Sequence, residues 1–301
     1  MDQPDTRPLE AALEPTPAQA ARAAARAAMR ERTDAVIARA EARLAAMAAA
    51  GPQAAVRRAR LSDAEEVLAI PYLSQRSVMS YLRQDEVLEL RAASRTCREA
   101  VAEHAWSDFD ETEADRSRIH GRLSSWRKCF PLARAANLHG IKTLTDADFV
   151  HLRGVQKLDV QGCTQATITD AAFAHLRGIH TLHMSYCNQA SITDAAFVHL
   201  RGIHTLWMID CNQATITDAA FAHLRGVHTL NMSGCNQTTI TDAAFAHLRG
   251  IHTLNMSYCT QITDAAMVHL VGIRVLRIFG CPQLTDAALA PLKDRGAIIL
   301  R

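Results

Sequence analysis

The chain has 301 residues, a hydrophobic content of 49% and a formal net charge of +2. That near-neutral balance argues against a nucleic-acid or membrane-surface partner. No apolar run approaches the ~18 residues of a membrane span, and no leader pattern opens the sequence, where Asp2, Asp5, Glu10 and Glu14 stand instead. The expectation is a cytoplasmic protein, with the nucleus also open to it.

Residues 1–17 are polar, end at Pro17 and read as disordered. Residues 18–60 are dominated by Ala, with nine Arg against Glu31, Asp34 and Glu41. Ala is the best helix former, and nothing interrupts it before Gly51-Pro52. Met29, Val36, Leu44 and Met47 make only a thin apolar stripe. A basic helix suits an acidic partner or a membrane surface, but the composition favours a low-complexity solvated segment.

Residues 61–106 change character. Val78 and Leu82, Val87 and Leu90, and Ala93, Cys97 and Val101 recur at helical spacing. Pro71 and the polar run at 83–86 cut the stretch into short helices, an all-α module too small for much core of its own. Ile70-Pro71, then Val78-Met79-Ser80-Tyr81-Leu82, then Glu86 to Arg98 (EVLELRAASRTCR), follow without a gap. This run resembles an F-box, with Ile70 for Leu, Ala93 for Val and Cys97 for Trp. The resemblance implies docking on a Skp-type adaptor of a cullin ubiquitin ligase core through Pro71, Val78, Leu82, Val87, Leu88 and Leu90.

Residues 107–132 carry five acidic residues, Asp108 to Asp115, and then Arg116, Arg118, Arg122, Arg127 and Lys128. Trp106, Ile119, Leu123, Trp126 and Phe130 have partly helical spacing. The segment reads as a helical linker that caps the repeats, which stacked arrays need at their ends.

Residues 133–301 repeat. Cys163, Cys187, Cys211, Cys235 and Cys259 follow one another at 24 residues, and Cys281 at 22. Such a period means stacked supersecondary units. Ile179, Leu182, Met184 and Cys187 give L-x-x-L-x-L-x-x-C, the leucine-rich repeat pattern, with a strand over Thr181 to Ser185. Alternation sends Leu182 and Met184 inward and Thr181, His183 and Ser185 outward. Thr169 is a helix N-cap, Asp170 suits the first turn, Phe173 and Leu176 share the inner face, and Gly178 ends the helix. Offsets of 22 place the first strand at Ala136 and Leu138 and the last at Ile298 and Leu300. Eight parallel strands and seven Thr-Asp helical segments make an α/β solenoid, with strands on the concave face and short helices on the convex face. The last strand is expected to be an open edge. The units resemble the cysteine-containing leucine-rich repeats that accompany F-boxes.

Each chemical possibility has a plainer counterpart. Six of the eight cysteines share one repeat position, and they lack the paired spacing of a zinc site, so they read as a buried, reduced ladder. His151, His175, His199, His223, His247 and His269 recur on the helices, and His180, His204, His228 and His252 at the strand entries. Stacked imidazoles suit a transition metal or a pH sensor, but no carboxylate or thiolate recurs beside them, and duplication alone copies surface residues. No nucleophile elbow, phosphate loop or dinucleotide motif occurs, so neither an enzyme nor a cofactor is expected.

The concave rows vary while the scaffold does not. Tyr186, Trp207, Ile209, Asp210, Tyr258, Arg277 and Phe279 are the candidate substrate-binding residues, since aromatic residues and Arg dominate interface hot spots. The leading expectation is a substrate-recognition adaptor of a Skp–cullin–F-box type ubiquitin ligase that holds an unidentified protein target. The alternatives are an interaction scaffold outside ubiquitin transfer, including a pathogen effector that imitates F-box proteins, and an enzyme or metal binder built on the histidines.

Overall fold

Each repeat unit folds into a three-residue strand, a turn that the cysteine closes, and a short helical segment. In the computed structural model, residues 95–103, 119 and 122–301 are described. Residues 1–94, with the expected docking residues Pro71, Val78, Leu82, Val87, Leu88 and Leu90, lie outside the described residues. Helix α1 (Arg95–Glu103) is the described part of the F-box-like stretch, with Arg98 and Glu99 exposed.

The chain divides into two units, and the second takes in Val101–Arg301. It holds β1 (Ala135–Asn137), β2 (Lys157–Asp159), β3 (Thr181–His183), β4 (Thr205–Trp207), β5 (Thr229–Asn231), β6 (Thr253–Asn255), β7 (Val275–Arg277) and β8 (Ile298–Leu300). All neighbours pair in parallel, in chain order, as one open sheet. Seven helical segments return the chain. They are a 3-10 segment at Asp146–Leu152, α2 (Asp170–Phe173), α3 (Asp194–Phe197), α4 (Asp218–Phe221), 3-10 segments at Asp242–Leu248 and Asp264–His269, and α5 (Asp286–Lys293). This is a leucine-rich repeat solenoid.

The core is a set of columns. Leu158, Leu182, Leu206, Leu230, Leu254 and Leu276 lie under the sheet without exposure, and Phe149, Phe173, Phe197, Phe221 and Phe245 form a buried spine under the helices. Truncating one such Phe costs about 3–5 kcal/mol, because rigid neighbours cannot close the gap. A single unit would leave these side chains bare on two sides, so the stack is the folding unit.

Polar ladders fix the stacking. Each cysteine of the column is buried, and its Sγ donates to a backbone carbonyl of the preceding repeat, as from Cys211 to Met184 at 3.1 Å and from Cys235 to Met208 at 3.0 Å. Thr169 Oγ1 accepts from Ala171 N at 3.2 Å and caps α2. The aspartate beside each cap does more than favour the helix dipole. Asp170 accepts from both the N–H and the hydroxyl of Thr193 in the next repeat, each at 2.7 Å, and Asp194 does the same for Thr217. A third ladder runs through Gln189, Gln213 and Gln237, whose Nε2 atoms donate to the cysteine carbonyls one repeat back at 2.9–3.0 Å.

Both ends depart from the repeat. The helix at Leu123–Cys129 buries Leu123 and Trp126, and Phe130 follows them into the core. Arg127 donates to the carbonyls of His151 at 2.6 Å and Arg153 at 3.1 Å, satisfying acceptors that the first helical segment leaves open. At the far end the expected strand register is off by one. Leu276 pairs with Ile299, not Ile298. Helix α5 runs eight residues, longer than the segments before it, so the 22-residue offset fails. A one-residue slip turns every side chain over. Ile298 and Leu300 therefore stand 60% and 37% exposed on the strand that ends the sheet.

Candidate partner-binding face

The third residue of each strand projects from the sheet on the side away from the leucine column. In order this row is Asn137, Asp159, His183, Trp207, Asn231, Asn255 and Arg277. Sequence variation along the row has two sources. Asn137 Oδ1 accepts from His139 N at 2.9 Å, Asp159 Oδ1 from Gln161 N at 2.8 Å, and Asn255 Oδ1 from Ser257 N at 3.0 Å. These short acceptors shape the turn that leaves the strand. His183, Trp207 and Arg277 carry no such oxygen, so the fold does not account for them in this way.

The outward direction is as expected, but exposure is not. Asp159, His183, Ser185 and Ser257 are buried, because strands ~4.8 Å apart let each side chain cover its neighbour. Trp207 is half-buried. Its ring stacks on that of His183 with centroids 4.2 Å apart and planes at 4°. Ser185 Oγ accepts from Ile209 N at 3.2 Å, and Ser257 Oγ from Phe279 N at 3.1 Å, which fixes the two apolar residues next along the turn.

The following position is backbone-limited. Gly140, Gly162, Gly234 and Gly280 stand there with φ of 65–73°, and so do Tyr186 at 61°, Asp210 at 53° and Tyr258 at 62°. A left-handed conformation costs a non-glycine residue roughly 1–2 kcal/mol. Three repeats bear that cost where glycine would remove it. A Cβ on Gly234 would come within 2.0 Å of Asp210 Oδ1, and one on Gly280 within 2.4 Å of the Tyr258 ring. Each of these two side chains thus reaches over the glycine of the next repeat. Such outliers point to function.

The sequence-derived candidates fall into two clusters. Tyr186, Trp207, Ile209 and Asp210 belong to the β3 and β4 repeats, and Tyr258, Arg277 and Phe279 to the β6 and β7 repeats. The β5 repeat between them offers only Asn231, Ser233 and Gly234. Tyr186, Tyr258, Arg277 and Phe279 are exposed, while Ile209 and Asp210 are half-buried. The glycine alternation at the left-handed position was visible in the sequence, and it was the available signal that Tyr186 and Tyr258 are not there for the backbone.

The histidines at the strand entries form a real stack. His180, His204, His228 and His252 lie at centroid separations of 4.3–4.6 Å and interplanar angles of 12–18°. Their Nδ1 atoms sit 3.1–3.2 Å from the hydroxyls of the following threonines. Parallel rings at this spacing aim their nitrogens side by side, not at a common point. Among the described residues no cluster of three or more His, Cys, Asp or Glu side chains has the arrangement of a metal site. Burial pushes the Cys163 thiol up to about 11 and Cys211 and Cys259 up to about 12. Such thiols supply neither a nucleophile nor a ready ligand.

No family model matches the sequence, and no curated protein matches it. Solved structures share the architecture at low identity. A chain of the Rad7–Elc1 complex from yeast is 14% identical over 75% of this chain and 63% of that one, with a TM-score of 0.48. Internalin C2 of Listeria monocytogenes is 19% identical over 72% and 90%, with a TM-score of 0.47. The Toll–Spätzle complex of Drosophila gives 12% identity over 60% and 38%, with a TM-score of 0.34. This chain therefore spans under two thirds of the Rad7–Elc1 chain it matches, and likenesses this low bear on neither partner nor activity.

Proposed function

We propose that the chain is a substrate-recognition adaptor of a Skp–cullin–F-box type ubiquitin ligase, and that the strand face of the solenoid holds a protein target. The observations that carry target binding are Tyr186 and Tyr258, left-handed where other repeats use glycine, and the Trp207–His183 stack in the repeats of the first of them. Exposed aromatic side chains on a rigid scaffold are what interface hot spots are made of. The adaptor role is supported by the sequence from Ile70 to Arg98 and by its place before cysteine-containing leucine-rich repeats. In this reading Pro71, Val78, Leu82, Val87, Leu88 and Leu90 dock the Skp-type adaptor. Tyr186, Trp207, Ile209, Asp210, Tyr258, Arg277 and Phe279 contact the target. The chain breaks no bond itself; it supplies proximity, which is a source of rate in its own right. Titrating the full chain with a purified Skp-type adaptor tests the assignment, and failure to form a complex refutes it.

A further inference from the structure

The turns from helix to strand carry a charge pattern that neither the core nor the strand face uses. They read Arg-Gly-Val-Gln at 153–156, Arg-Gly-Ile-His at 177, 201 and 249, and Arg-Gly-Val-His at 225. Arg153, Arg177, Arg201, Arg225 and Arg249 are all exposed. Because the strands stack in chain order, the five guanidinium groups follow one another along one edge of the solenoid. No Asp or Glu occurs in these turns. The aspartates stand at the opposite ends of the helical segments, where the threonines of the next repeat already occupy their oxygens.

The arginines reach the imidazoles of the next repeat. Arg153 Nε donates to His175 Nδ1 at 3.2 Å, Arg177 Nε to His199 Nδ1 at 3.4 Å, and Arg201 Nε to His223 Nδ1 at 3.3 Å. Two imidazole columns therefore flank the arginines. His199 faces Arg177, with Asp170 as its nearby carboxylate. His204 faces His180 and His228, and the column ends on Gln156 and Arg274 in the same row.

We propose that this helix-to-strand edge is a docking strip for an extended acidic polypeptide segment, gripped by Arg153, Arg177, Arg201, Arg225 and Arg249. Charge complementarity selects a linear polyanion. Single-stranded nucleic acid fits less well, because the turns offer no Phe, Tyr or Trp, and their histidine rings already stack on one another. A membrane surface fits less well too, because the turns show no exposed apolar side chain to enter it; the Ile or Val of each is buried. The strip is a different surface from the strand face and stands independently of the ligase reading.

A labelled decaglutamate peptide titrated into the full chain at low salt, followed by fluorescence polarisation, tests the proposal. Binding is expected near neutral pH and should weaken as salt is raised. Arg177→Ala, Arg201→Ala and Arg225→Ala together should weaken it about tenfold, with an unchanged melting temperature because these side chains are exposed. Affinity unmoved by the triple arginine substitution would place binding elsewhere, such as the Arg-rich residues 18–60, and overturn the proposal. Tighter binding of an oligothymidylate of equal length would overturn the assignment to an acidic polypeptide.

Discussion

The indole of Trp207 lies flat on the imidazole of His183, 4.2 Å between centroids and 4° between planes. The stack buries one face of the tryptophan and leaves the residue half-exposed toward the partner side. It rigidifies a large apolar side chain before any partner arrives, which lowers the ordering cost of binding. Trp207→Ala is expected to weaken target capture by ~2 kcal/mol or more. The loss of stability should stay near ~1 kcal/mol, the worth of one aromatic pair. Thermal melting and target pull-down on the same variant check both. A collapse in melting temperature would make Trp207 a core residue, and an unchanged pull-down would move the target elsewhere.

Tyr258 and Gly280 give a paired test of the left-handed row. Gly280→Ala puts a Cβ at φ 65° and within 2.4 Å of the Tyr258 ring, so it should destabilise by ~1–2 kcal/mol. Tyr258→Gly removes an aromatic ring, yet relieves its own backbone strain. Its stability should stay within ~1 kcal/mol of the parent, against the ~3–5 kcal/mol that losing a core aromatic costs. Target capture should fall in Tyr258→Gly. Chemical denaturation of both variants decides, and a Tyr258→Gly loss of core size would show that the ring serves the fold.

The cysteine column should be inert. Burial holds Cys211 at about 12, and its Sγ donates to the carbonyl of Met184. A polar thiol reagent should leave Cys211 unmodified in the native chain and label it on denaturation, read by mass spectrometry. Fast native labelling of Cys211 would contradict the packing described for the column.

Much of this was legible beforehand because a fixed period reports stacking directly. The strand positions, the Thr caps, the glycine that ends each helix and the buried cysteines all followed from spacing. The second task of Asp170 did not, since its partner Thr193 becomes a neighbour only after two repeats stack. The register of β8 departs from the 22-residue offset because α5 is longer than the segments before it. The burial of His183 and Ser185 was missed because alternation gives direction, not the cover that adjacent parallel strands supply. The docking residues from Pro71 to Leu90 lie outside the described residues and rest on the sequence.

Stability should fall on mild acidification. Burial, and then Arg177 beside His199 and the imidazoles of His180 and His228 beside His204, hold His199 and His204 below the usual imidazole value of 6.5. A base whose folded value is depressed takes its proton more readily in the unfolded chain, so stability is full above about 6.5 and is lost as pH falls below it. Asp264, held below the usual 3.8 by the N–H and hydroxyl of Thr285, adds a second loss as pH falls below that value. Melting temperature against pH should therefore be flat above neutrality and decline in two stages. A flat profile down to about pH 5 would contradict the first stage.

The most direct test of the adaptor reading is a calorimetric titration of the full chain with a purified Skp-type adaptor. The account predicts a one-to-one complex that Leu82→Asp with Leu90→Asp abolishes, because each change would bury a carboxylate without a counter-charge. Trp207→Ala should bind the adaptor as the parent does. Absence of a complex, or parental affinity in the double variant, would contradict the account.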